Sequence, residues 1–146
     1  MRTRSLTSEF AEPFEFHATL THLDDGLETL HNSVRLLRER AAGAVDDTNV
    51  LLFESALAEI GANVLTHGRK EGPSDAPVQY QLRLEGRTAL ATFTDRGAPI
   101  HNHLARAMPE PYSEAGRGLA IARQVLDELG YEREGEINTW RLVKRL

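Results

Sequence analysis

The spacing of apolar residues sets out a run of short elements. Phe14, Phe16 and Ala18 alternate with Glu15, His17 and Thr19, the period of two expected of a half-buried strand. The period then lengthens. After Asp24 and Asp25, the residues Leu23, Leu27, Leu30, Val34 and Leu37 recur every three or four positions and predict an amphipathic helix that ends at Ala41-Ala42-Gly43. Asp46-Asp47-Thr48 are good N-cap residues and predict a second helix running to His67, with Phe53, Leu57, Ile60 and Val64 inward and Gly68 as C-cap. Gly72, Pro73, Ser74 and Asp75 mark a loop. Val78, Tyr80, Leu82 and Leu84 restore the period of two, and Gly86 turns the chain into a return strand, Thr88 to Thr94. Residues 100–115, with Pro109 and Pro111, read as a loop with a short helical turn near Leu104. A third helix is expected from about Gly118, with Ala122, Val125, Leu126 and Leu129 inward. A last hairpin spans Tyr131 to Arg133 and Asn138 to Leu146, where Trp140, Leu142 and Leu146 alternate with Arg141, Val143 and Arg145.

The order β-α-α-β-β-loop-α-β-β predicts an α/β (α+β) two-layer sandwich. Its sheet, mixed but mostly antiparallel, has helices on one face. A length of 146 residues suits one core. Residues 1–12 are polar and aperiodic and read as a flexible tail, with residues 13–146 as a single domain.

Composition removes several chemistries. With no cysteine there are no disulfides, thiolate metal sites or cysteine nucleophiles. The net charge of -5, with arginines spread along the chain, argues against direct nucleic-acid binding. Met1-Arg2-Thr3-Arg4-Ser5 opens no signal peptide, and no apolar run is long enough for a membrane span, so a cytoplasmic, membrane-free protein is expected. His101 and His103 lack further ligands and make a poor metal site.

Three small constellations carry the candidate chemistry. Glu59 and Asn63 are four residues apart and share a helix face, so a carboxylate base and an amide oxygen suited to Mg2+ stand together. Asp95-Arg96-Gly97 follows a strand, where the carboxylate can accept from an exocyclic amine and the glycine admits a ligand close to the backbone. Gly116-Arg117-Gly118 opens a helix, where backbone N–H groups and a guanidinium favour phosphate. Each alone is common: a polar helix face, a turn, a flexible helix start. It is neither a Walker loop nor a dinucleotide fingerprint.

Taken in order, Glu59-x-x-x-Asn63, Asp95-x-Gly97 and Gly116-x-Gly118 resemble the N, G1 and G2 boxes of the GHKL ATPases, which have the Bergerat fold. The resemblance runs from about Phe14 to Leu146. It is strongest to the anti-sigma-factor serine/threonine kinases, through Ala58-Glu59-Ile60-Gly61-Ala62-Asn63-Val64-Leu65-Thr66-His67-Gly68, Asp95-Arg96-Gly97-Ala98-Pro99, Gly116-Arg117-Gly118-Leu119-Ala120-Ile121 and the terminal Arg141-Leu142-Val143-Lys144-Arg145-Leu146. Pro99 departs from the second glycine of many histidine kinases.

The resemblance implies ATP and Mg2+ as cofactors. Glu59 would be the catalytic base and Asn63 the metal ligand. Asp95, with Gly97 and Thr139, would meet the adenine. Gly116, Arg117 and Gly118 would meet the phosphates under a lid near residues 98–115. It implies a homodimeric anti-sigma factor that sequesters a sigma factor and phosphorylates a serine of an STAS-type anti-anti-sigma protein. A related kinase that switches on a phosphatase would have nearly the same site. A non-catalytic nucleotide-binding module would keep Asn63, Asp95 and the glycines without using Glu59 as a base.

Overall fold

A computed structural model describes residues 13–66, 77–97 and 114–146, for 114–117 the backbone alone. Its strands are β1 (Phe14–Leu20), β2 (Val78–Glu85), β3 (Thr88–Asp95), β4 (Glu128–Glu134) and β5 (Ile137–Arg145). Its helices are α1 (Leu23–Arg40), α2 (Asp47–Thr66) and α3 (Glu114–Val125). The strands form one sheet in the order β1-β2-β3-β5-β4. Every pairing in it is antiparallel, so the mixed sheet allowed by the pattern resolves to an antiparallel one.

Both hairpins close through two residues, between Glu85 and Thr88 and between Glu134 and Ile137. The first loop residue is Gly86 (φ 63°) or Gly135 (φ 64°). A left-handed first position is what a type II′ turn needs, and its twist suits the strands on either side.

Alternation sends Val78, Tyr80, Leu82, Leu84, Ala89, Ala91, Phe93, Trp140 and Leu142 to one buried face. Each helix meets that face. Tyr80 donates its hydroxyl to Ser33 Oγ on α1 (2.7 Å), because Ser33 donates onward to Leu30 O (2.7 Å). Burial pushes the Tyr80 phenol above its ordinary range, and the Ser33 hydrogen bond offsets part of this. Phe93 lies against Gly61 of α2. Lys144 donates to Val125 O at the end of α3 (2.7 Å). The three helices therefore share one side of the sheet, as a two-layer sandwich requires.

The helices approach closely. A side chain at Gly26 would run into Leu65, and one at Gly61 into Leu30, so the two glycines let α1 settle on α2. Asp46 caps α2 by accepting Asn49 N–H at Oδ2 (3.0 Å). The expected end of α2 at His67-Gly68 lies outside the described residues.

The third helix differs from its expected bounds. It opens at Glu114, upstream of Gly118, and closes at Val125. Leu129, expected on its inner stripe, sits in β4 opposite Leu142. The reason is local: Asp127 N–H donates to Val143 O (2.8 Å), which joins the chain to β5 before another helical turn can form. Asp127 Oδ2 then accepts Arg145 N–H (2.6 Å).

Lys144 is buried (8% exposed), and its ammonium caps the helix carbonyl where a basic group is favoured. Lys144→Met keeps the apolar stem and leaves Val125 O without its cation. We expect a loss of about 1–3 kcal/mol in chemical denaturation with an unchanged m-value.

Candidate functional site

The first constellation lies on the last turns of α2. Glu59 is exposed and Asn63 is buried (8% exposed), one turn further on. The Asn63 amide nitrogen donates to Glu59 O (3.0 Å). A carbonyl only accepts, so the nitrogen is fixed there and Oδ1 is the atom that Asn63 presents.

The Glu59 side chain reaches α3. A Cβ built at Gly118 would fall on the Glu59 carboxylate, so the absence of a side chain at Gly118 is what lets this carboxylate lie against the α3 backbone. The first and third constellations, far apart in sequence, are thus in contact. Gly116 is the third residue of α3, in the first turn where N–H groups lack helical partners, and Arg117 and Gly118 follow it as the fourth and fifth.

The second constellation is built into the sheet. Asp95 ends β3 with 7% exposure. Its Oδ1 accepts the N–H of Gly97 (2.6 Å) and the amide of Asn138 (3.0 Å). The two residues face each other across the β3–β5 ladder. Asp95 Oδ2 takes no hydrogen bond among the described residues and is left as an acceptor. Gly61 on Phe93 ties α2 to the end of β3 that carries Asp95.

Asn138 (1% exposed) also donates to Gly97 O (3.0 Å). Its Oδ1 accepts from Tyr131 (2.6 Å) and from Arg133 (2.9 Å), and Arg133 donates to Gly97 O as well (2.9 Å).

The structure does not bring Thr139 to Asp95. Thr139 pairs with Thr94 on the other face of the sheet, because successive strand residues alternate. Asn138 stands in its place. The signal was present in the alternation: Asn138 shares parity with inward Trp140 and Leu142, whereas Thr139 shares it with Arg141 and Val143. Arg133 and Tyr131 had no such signal, since β4 has no buried position and only two half-buried ones, Leu129 and Tyr131. Residues 98–113 of the expected lid, His67, His101 and His103 lie outside the described residues, and the last two lid positions, Glu114 and Ala115, instead begin α3. Among the described residues no group of three or more His, Cys, Asp or Glu side chains could hold a metal ion.

The family described as the histidine kinase-like ATPase domain matches residues 24–144. The chain belongs to that family. Its solved neighbours include the RsbU and RsbW domains of Rv1364c from Mycobacterium tuberculosis, with 22% identity and a TM-score of 0.64 over 91% of this chain and 32% of that one. Another is the histidine kinase domain of the blue-light activated histidine kinase EL346 from Erythrobacter litoralis, with 18% identity and a TM-score of 0.53 over 82% of this chain and 60% of that one. The chain thus spans about a third of the first protein's length and three fifths of the second's, and at these identities the likeness is one of fold. No curated protein matches it in sequence.

ATPase domains of this family bind ATP with Mg2+. The donors present fit that pair: an oxygen presented by a tethered amide at Asn63, a carboxylate oxygen left over at Asp95 and a backbone kept bare at Gly118. Among the described residues no helix is long and apolar enough to cross a membrane.

Proposed function

We propose that this histidine kinase-like ATPase domain is a protein serine/threonine kinase that also acts as an anti-sigma factor, sequestering a sigma factor and phosphorylating a serine on an STAS-type anti-anti-sigma protein. The observation that carries the kinase reading is the Glu59 carboxylate lying against Gly118 beside Asn63. It puts a base at the expected phosphate end of the site. The ordered motif set, similar to that of the anti-sigma-factor kinases, supports the choice of partners, as does the fold likeness to a protein with RsbU and RsbW domains.

Bound ATP with Mg2+ would supply the phosphoryl group and offset its charge. Asn63 would hold the metal through Oδ1, because its nitrogen is already tied to α2. Glu59 would accept the serine hydroxyl proton at a carboxylate oxygen. Asp95 Oδ2 would accept from the adenine amine. Gly116, Arg117 and Gly118 would meet the phosphates, through the free N–H groups of the first turn of α3, the Arg117 guanidinium and the close approach that the glycines allow.

Titration calorimetry with ATP tests the site. Binding that tightens with Mg2+ supports it, and no binding at millimolar ATP rejects it. Transfer of labelled phosphate to STAS proteins then separates a kinase from a passive nucleotide module, which would bind and transfer nothing. Sedimentation as a monomer at tens of micromolar would remove the homodimer.

Gly118→Ala splits stability from activity. Glu59 is flexible and can swing away, and alanine favours a helix by about 1 kcal/mol over glycine, so thermal stability should hold or rise. The displaced base should cost about 100-fold in transfer rate. A wild-type rate in the same assay would show that Glu59 need not lie against α3.

A further inference from the structure

Asn138 has an amide whose two ends cannot be exchanged. On one side stands the Asp95 carboxylate, which only accepts; on the other stands the Arg133 guanidinium, which only donates. Reversing the amide would set oxygen against oxygen at Asp95 and nitrogen against nitrogen at Arg133. Tyr131 does not decide the orientation, because a hydroxyl can serve either role. Arg133 also donates to Gly97 O, which Asn138 shares. With Gly97 N–H on Asp95 Oδ1, both polar groups of the Gly97 backbone are engaged. The only acceptor of this cluster left without a partner among the described residues is Asp95 Oδ2.

We propose that Arg133, an exposed residue of β4, is a positioning residue that sets base selectivity. By fixing the Asn138 amide it holds Asp95 with Oδ1 engaged and Oδ2 turned out as an acceptor, which a base amine satisfies and a base carbonyl does not. The proposal rests on the assignment of Asp95 to the base. A ligand carbonyl placed against a fixed carboxylate leaves two acceptors facing each other without a proton, the kind of mismatch that discriminates strongly. If Arg133 merely pinned the β4–β5 hairpin to the Gly97 turn, its loss would weaken all nucleotides alike.

The test compares ADP with inosine diphosphate, in which a carbonyl replaces the adenine amine. Affinities are read by calorimetry without Mg2+, so that neither transfer nor Asn63 enters. The wild-type chain should prefer ADP by about 100-fold or more. Arg133→Met, at an exposed position, should fold normally and lower that preference about fivefold, mainly through weaker ADP binding. Asn138→Ala should lower it about tenfold or more. The same preference in both variants, or equal losses for both nucleotides, would overturn the positioning role. Asp95→Asn is the control for the underlying assignment: if it too keeps the wild-type preference, Asp95 does not read the base. If Asp95→Asn changes the preference while Arg133→Met and Asn138→Ala do not, the assignment stands and the proposal falls.

Discussion

Asp95→Asn should reverse the base preference of the site, from an amine-bearing purine to a carbonyl-bearing one. Two donors meet at Oδ1, the Gly97 N–H and the Asn138 amide. An asparagine placed there must put its own oxygen toward those donors, which sends its nitrogen to the position of Oδ2. The acceptor offered to the base becomes a donor. ADP affinity should fall about 100-fold and that for inosine diphosphate should rise about tenfold, so the two affinities cross. ATP and ADP should weaken alike, since the substitution lies at the base and not at the phosphates. Competition between the two diphosphates in calorimetry reads the reversal directly. A uniform loss would mean that the amide had turned inward or that Asp95 supports the turn alone.

Glu59→Gln should separate binding from transfer. Glutamine keeps the length and shape that lie against Gly118, and the helix stays intact because Asn63 bonds to the backbone carbonyl at 59, not to the side chain. What disappears is the group that accepts a proton. Loss of a general base costs about 10²–10⁴-fold, so phosphate transfer should fall by that factor while ATP affinity stays within about threefold of wild type. Initial rates of labelled transfer and calorimetry on the same preparation give both numbers. Undiminished transfer with intact binding would rule Glu59 out as the base.

Four of the five strands and the three helices were legible because each buries one face, and burial writes its period into the chain; β4 has no buried residue. The period failed where two structures share a spacing. Ala122, Val125, Leu126 and Leu129 keep helical intervals although the last belongs to β4; only the Asp127 hydrogen bond to Val143, a tertiary event, separates them. Lys144 was equally opaque. A charge at an inward strand position contradicts simple alternation, and it becomes intelligible once the α3 carbonyl that it caps is in place. At the site, Glu59, Asn63, Asp95 and the glycines were marked by order and spacing. Strand parity points Asn138 toward Asp95 and Thr139 to the other face of the sheet. The roles of Arg133 and Tyr131 depend on a hairpin folding back to the Gly97 turn, which no local pattern announces.

The strand order also bears on how the chain folds. The β2–β3 hairpin closes between Glu85 and Thr88, and the β4–β5 hairpin between Glu134 and Ile137, so both can zip from local contacts within microseconds. By contrast, β1 meets β2 only after α1 and α2 are threaded between them, and β5 meets β3 across the intervening α3. Such nonlocal closures carry the loop-entropy cost that slows folding. The joint between Asp95 and Asn138 lies on one of them. The pocket edge that would read the base should therefore assemble late, as the two hairpins dock, and substitutions at that seam should speed unfolding more than they slow refolding.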